Sequence, residues 1–158
     1  MKKQTKAIPE GFHTLTPHLV VKGASEAIEF YRKAFGAREI GRMTGPDGKT
    51  IMHADLVIGD SHLFLIDAGL GCPGAQAEGE FKASIHLYTE DVDALFNQAV
   101  AAGAQVRMPV ADMFWGDRYG AVTDPFGQQW SFAAHKEDLT PEEISKRAEA
   151  AFSNRANA

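Results

Sequence analysis

The feature that most constrains this chain is that its two halves rhyme. The stretch HLVVKGASEAIEFYRKAFGA, residues 18–37, is answered by HLYTEDVDALFNQAVAAGA, residues 86–104, with one residue fewer inside the second copy. Self-similarity at a fixed spacing is the mark of one supersecondary unit used twice. Each copy opens with a short β-type run, passes into a helical period and stops at a glycine followed by alanine. In the first helix Ala24, Ala27, Ile28, Tyr31 and Phe35 fall on one face of a 3.6-residue period, and Val92, Leu95, Phe96 and Ala99 repeat that stripe in the second. Gly36 and Gly103 stand where a left-handed residue ends a helix at little cost, and Asp91 is placed to cap the start of the second helix.

Strand-like material follows each helix, at 39–44, 50–58 and 61–67 in the first half and at 106–109, 119–123 and 128–134 in the second. Gly45-Pro46-Asp47-Gly48, Gly59-Asp60 and Asp124-Pro125-Phe126-Gly127 supply the turns between them. The resulting order is βαβββ twice, an α+β chain. Two unrelated αβ units could share that class, but common order, helix stripe and terminator favour a tandem repeat. The boundaries expected are a single domain over 1–137, with module one at about 13–68, a glycine-rich linker at about 69–82 and module two at about 83–137. A C-terminal helix and tail occupy 138–158. Thr140-Pro141-Glu142-Glu143 reads as a capping box with proline at the first helical position, and Ile144, Ala148, Ala151 and Phe152 then form an apolar stripe that needs a partner surface.

Composition narrows the partners. With 158 residues, 44% of them apolar and 23% charged, the chain is globular rather than disordered. A net charge of −5 argues against nucleic acid and anionic membranes, both of which reward a basic surface. The single cysteine, Cys72, closes no intrachain disulfide, and no apolar run is long enough for a signal peptide core or a membrane span; a cytoplasmic protein is expected.

Four segments carry a family resemblance: TPHLVVKGASEAIEFYRKAFGA, MHADLVIGDSHLFLID, IHLYTEDVDALF and, most specifically, FWGDRYGAVTDPFGQQWSF. Together they resemble the PhnB-like branch of the vicinal-oxygen-chelate superfamily, which includes glyoxalase I, bleomycin-resistance proteins and extradiol dioxygenases. The resemblance implies two four-stranded modules, each with its helix outside, that share a small-molecule pocket, and it implies a homodimer. It also implies four metal-binding positions, on the first and fourth strand of each module. Here those positions hold Thr16, Phe64, Ser84 and Ser131, where metal-binding relatives carry histidine or glutamate. A protein-held divalent ion needs three or four nitrogen, carboxylate or thiolate donors. The expectation is therefore no cofactor and no metal, and a protein that encloses a small organic ligand. The alternative is a divalent-metal enzyme of glyoxalase or dioxygenase type with a non-standard ligand set such as His18 and His86. A methyltransferase is not expected, because no glycine-rich nucleotide-binding turn follows a predicted strand.

Strand alternation nominates the ligand-contacting residues. His18 shares a face with Thr16, and His86 with Ser84. On the strand at 50–58, Met52, Ala54, Leu56 and Ile58 form an apolar face for the helix and leave His53 and Asp55 on the other side. Trp115 and Arg118 complete the set: in WGDRYG the indole is expected to wall the pocket. Arg118, taken as the counterpart of His53, would offer its guanidinium fork to a carboxylate or phosphate-like group. The plainer reading of that segment is an Asp117–Arg118 interaction pinning a loop, with Trp115 and Trp130 filling the core. His62 and His135 carry no assignment.

Overall fold

A computed structural model describes residues 10–69 and 84–156, the side chains of 152–156 excepted. The predicted linker at about 69–82 falls almost wholly outside these residues, and Cys72 lies outside them. The chain divides into two compact units, Met1–Glu80 and Phe81–Ala158, and each contains one βαβββ module.

In the first unit β1 (His18–Val21) leads into α1 (Ala24–Phe35), followed by β2 (Arg38–Thr44), β3 (Ile51–Ile58) and β4 (Ser61–Asp67). The sheet order is β1-β4-β3-β2, with β1 parallel to β4 and the other neighbours antiparallel. The second unit repeats this with β5 (Ser84–Tyr88), α2 (Val92–Ala101), β6 (Gln105–Asp112), β7 (Asp117–Thr123) and β8 (Gln129–His135), in sheet order β5-β8-β7-β6. The tandem βαβββ architecture read from the repeat is thus present, and α3 (Pro141–Ala156) follows it.

The helix stripes do what their spacing dictates. Ala24, Ala27, Ile28, Tyr31, Ala34 and Phe35 are buried, as are Leu19, Ala54, Leu56, Leu63 and Leu65 of the sheet. In module two Val92, Phe96 and Ala99 meet a core containing Val122, Trp130 and Phe132. Gly36 closes α1 at φ 65°, with its N–H bonded to the carbonyl of Tyr31. Asp91 caps α2 by accepting from the N–H of Ala94 at 2.9 Å. The capping box of α3 is reciprocal: Glu143 Oε2 accepts from the Thr140 amide at 2.8 Å, and Thr140 Oγ1 accepts from the Glu143 amide at 3.3 Å. Ile144, Ala148 and Ala151 of its stripe remain half-exposed.

Helix α1 begins without a cap of its own, because Gly23 has no side chain to offer. Asp67, at the end of β4, substitutes: Oδ1 accepts from the Ala24 amide at 2.8 Å and Oδ2 from the Ile51 amide at 2.7 Å. One carboxylate therefore ties the start of α1 and the start of β3 to the end of β4. Asp67→Ala orphans both amides and is expected to destabilise the protein by about 2 kcal/mol, read as a lower urea midpoint at unchanged m-value.

Three expectations about strands need correction. The strand expected at 106–109 runs from Gln105 to Asp112 and includes Pro109. Proline is tolerated because β6 is an edge strand and its register shifts between Met108 and Ala111, so no ladder bond is lost there. Asp117 and Arg118, expected in a loop, open β7. Met52 was placed on the helix-packed face with Ala54 and Leu56, yet it is 42% exposed, outside the buried stripe.

Candidate functional site

Each sheet packs one face against its helix, and the opposite, more open face collects the polar and aromatic residues, with Asp117, Ser131 and Ala133 buried within it in module two. The pairing gives the correspondence between modules. His18 pairs with Phe64 and Asp55 with Phe64 in the first, while His86 pairs with Ser131 and Ala121 with Ser131 in the second. Hence His18 matches His86, Phe64 matches Ser131, and His53 matches Tyr119.

On module one, Phe64 is the centre of a ring cluster. His53 stands edge-on to it with centroids 4.7 Å apart, His18 stands edge-on at 6.0 Å, and the two imidazoles are 6.1 Å from each other, so the three rings form a triangle. Burial and then the charge of His53 hold the His18 imidazole below its ordinary pKa, so it is neutral at physiological pH. Asp55, expected beside His53, is engaged by a residue with no sequence assignment: Nδ1 of His62 donates to Asp55 Oδ1 at 2.7 Å. Phe12 stacks on the His62 ring at 3.7 Å. Alternation could have placed His62 on this face, since it lies two residues from Phe64 on β4; nothing in its type or spacing set it apart.

On module two, His86 Nδ1 and Ser131 Oγ share a hydrogen bond of 2.7 Å across the parallel β5–β8 pair. Tyr88 stands edge-on to His86 at 4.7 Å, and Tyr119 lies nearly parallel to it at 6.0 Å. Trp115, half-buried, meets Tyr119 at 5.7 Å and Phe114 at 4.9 Å. The outcome is a row of rings from Tyr88 through His86 and Tyr119 to Trp115. Asp117, 6% exposed, anchors one end, accepting from the Tyr88 hydroxyl at 3.2 Å and from His135 Nδ1 at 2.8 Å. The negative charge of Asp117 raises the Tyr88 phenol above its ordinary pKa, so it stays a donor. Tyr88, Asp117, Tyr119 and His135 were all missed by sequence reasoning.

Arg118 is not on this face. Its Nε and Nη2 grip the Asp93 carboxylate of α2 at 2.6 and 2.7 Å, and Nη1 reaches Asp112 at 3.1 Å. The counterpart of His53 is therefore Tyr119 and not, as expected, Arg118, which corresponds to Met52. A displacement of one residue along a strand moves a side chain to the opposite face, so the guanidinium fork closes on the helix instead of awaiting a ligand. The expected Asp117–Arg118 pairing is replaced by these contacts, and Trp130 is in the core while Trp115 is at the open face.

The four positions at which the resemblance implies metal ligands do not fit an ion. Thr16 offers only a neutral hydroxyl, Phe64 has no donor atom, Ser131 Oγ is committed to His86, and Ser84 Oγ donates to the Gln129 carbonyl at 3.4 Å. Among the described residues no three His, Cys, Asp or Glu side chains converge as a ligand set, and no helix is long and apolar enough to cross a membrane.

A family model described as Glyoxalase/Bleomycin resistance protein/Dioxygenase superfamily matches residues 11–132. An uncharacterized protein of Mycobacterium tuberculosis is 44% identical over 134 residues, spanning 82% of this chain and 79% of its own. Among solved structures, TioX from Micromonospora sp. ML1 is similar with a TM-score of 0.62 and 28% identity, over 77% of this chain and 97% of that one. A Bacillus cereus PhnB protein, described as a putative 3-demethylubiquinone-9 3-methyltransferase, is similar with a TM-score of 0.63 over 77% of this chain and 99% of that one. Its 19% identity speaks to the fold alone.

Proposed function

The chain belongs to the Glyoxalase/Bleomycin resistance protein/Dioxygenase superfamily, and from that premise we propose that it binds a small organic molecule on its open sheet faces, without a metal ion at the superfamily's customary four positions. The observation that carries this reading is the replacement of the fourth-strand ligands by an aromatic ring, Phe64, and by a hydroxyl, Ser131, that is already bonded to His86. What the faces offer instead is stacking and hydrogen bonding. Tyr88, His86, Tyr119 and Trp115 present ring surface suited to a planar or partly apolar ligand, each good aromatic contact contributing about 0.5–1.5 kcal/mol beyond area burial. His18, His53 and the Asp55–His62 pair supply donors and acceptors on module one. Arg118 is left out of this ligand set because its fork is occupied. The homodimer implied by the resemblance belongs to the same reading and is checked by light scattering.

Two measurements test it. Metal analysis of the purified protein is expected to find well under one equivalent of any divalent ion, and zinc, nickel or manganese is expected to leave Tm unchanged. A thermal-shift screen of planar organic compounds is expected to yield hits that raise Tm and quench Trp115 fluorescence, with binding weakened at least tenfold by Tyr119→Ala. A stoichiometric ion lost on His18→Ala or His86→Ala would instead establish the metal-dependent alternative.

A further inference from the structure

His135 ends β8, five residues before the capping threonine of α3, and both of its ring nitrogens face carboxylates. Nδ1 is 2.8 Å from Asp117 Oδ1 and Nε2 is 2.9 Å from Asp138 Oδ1. A neutral imidazole has one N–H and one lone pair, whereas an ionised carboxylate only accepts. Both contacts can be hydrogen bonds only when the ring is an imidazolium. The two carboxylates differ in what holds them. Asp117 is buried in β7 and also bound by the Tyr88 hydroxyl of β5, while Asp138 is fully exposed in the connector between β8 and α3.

We propose that His135 is a protonation-controlled latch: as an imidazolium it ties the connector preceding α3 to the sheet through Asp138, and as a neutral imidazole it keeps Asp117 and releases Asp138. On loss of the proton, Nδ1–H stays with the buried partner, which has no solvent to turn to. The Nε2 lone pair then faces the Asp138 carboxylate and repels it. The charged and titratable groups facing His135 are these two carboxylates, with Tyr88 behind Asp117. The hydrogen bonds that the ring donates to Asp138 and then to Asp117 raise the His135 pKa above the ordinary imidazole value. The sign follows: the latch is fully closed below the ordinary imidazole pKa and opens as pH rises through the raised value.

The connector is otherwise fastened at its start, where the Gly116 carbonyl accepts from the Lys136 and Glu137 amides at 3.0 Å each. Glu137 also pairs with Arg147 of α3 at 2.9 Å, which links the connector to the helix. Lys136 and Glu137 also line one side of a cleft of about 420 Å³ whose other residues include Asp112 and Arg118. Release of Asp138 loosens that wall and the helix attached to it. This inference stands independently of what the open sheet faces bind.

Hydrogen exchange on the full-length protein, with rates corrected for intrinsic pH dependence, tests it. Protection of the segment 136–144 is expected to fall roughly fivefold or more between about pH 5.5 and about pH 9, with a midpoint equal to the His135 titration followed by imidazole ¹⁵N shifts. Asp138→Asn discriminates, because an asparagine amide can donate to the neutral ring and its carbonyl can accept from the charged one. In that variant the segment is expected to stay protected at both pH values. Equal wild-type protection at both pH values, or an Asp138→Asn protein that keeps the wild-type pH dependence, would overturn the latch.

Discussion

Replacing Asp124 by alanine is expected to cost about 3–5 kcal/mol, among the largest effects of any single polar substitution in module two. The residue is buried at the β7–β8 turn. Its Oδ1 accepts from the backbone amides of Phe126 and Gln128 at 2.9 Å each, and its Oδ2 accepts from the indole N–H of Trp130 at 3.0 Å. Trp130 is itself 1% exposed, so its N–H has no access to water once the carboxylate is gone. Alanine thus removes the Asp124 acceptor from three donors in or near the core, at roughly 1–3 kcal/mol for each that finds no replacement. Asp124→Asn separates the parts of this loss. Its carbonyl can keep the backbone amides, but its amide group then faces the indole donor, so the variant is expected to fall between wild type and alanine. Urea unfolding followed by the fluorescence of the two tryptophans measures both, and an alanine variant within 1 kcal/mol of wild type would contradict the network.

The same turn shows what the sequence does and does not disclose. Asp-Pro-Phe-Gly is legible as a hairpin connection from composition alone, and its residues 124–127 form one, with the Gly127 amide bonded to the Asp124 carbonyl at 3.1 Å. That its aspartate reaches forward to an indole two residues into the next strand is a matter of rotamer and burial, which composition does not carry. Helix stripes were legible for the opposite reason: burial of Ile28, Tyr31, Val92 and Phe96 follows from periodicity, a property of the sequence itself. His18, His53, Asp55 and His86 were likewise placed on a common kind of face by the two-residue period of a strand. Arg118 failed because that period gives a face only when register is known. The register shifts, at Glu39/Gly41 and Met43/Thr44 in β2 and at Val106/Met108 and Met108/Ala111 in β6, have no hydrophobic signature. A correspondence drawn by counting residues slipped by one and exchanged Tyr119 for Arg118. His135 and Asp117 were missed because their significance is their contact with each other, from neighbouring strands that only the fold brings together.

Gly116→Ala is expected to destabilise module two by about 3 kcal/mol or more, and to do so by a route distinct from Asp124. Gly116 adopts φ 97°, where a side chain is strained, and a Cβ built there would lie 2.5 Å from the Glu137 carbonyl oxygen and 3.3 Å from Leu139 Cδ1. The nearest obstacle is backbone rather than a flexible side-chain end, so relief requires moving the connector. Moving it withdraws the Lys136 and Glu137 amides from the Gly116 carbonyl and pulls Asp138 away from His135. The glycine-rich WGDRYG segment invites the idea that its glycines make room for a ligand; at Gly116 the close approach is made by the chain's own connector. The substitution should therefore lower Tm and reduce exchange protection across 136–144 at low pH as well as high, abolishing the pH dependence from the open side. Asp138→Asn abolishes it from the closed side. Since the strain is local to the connector, a thermal-shift hit that binds at Tyr119 should still be detected in the Gly116→Ala protein at a temperature where it is folded. Loss of that binding would mean that the connector and the aromatic row act as one unit.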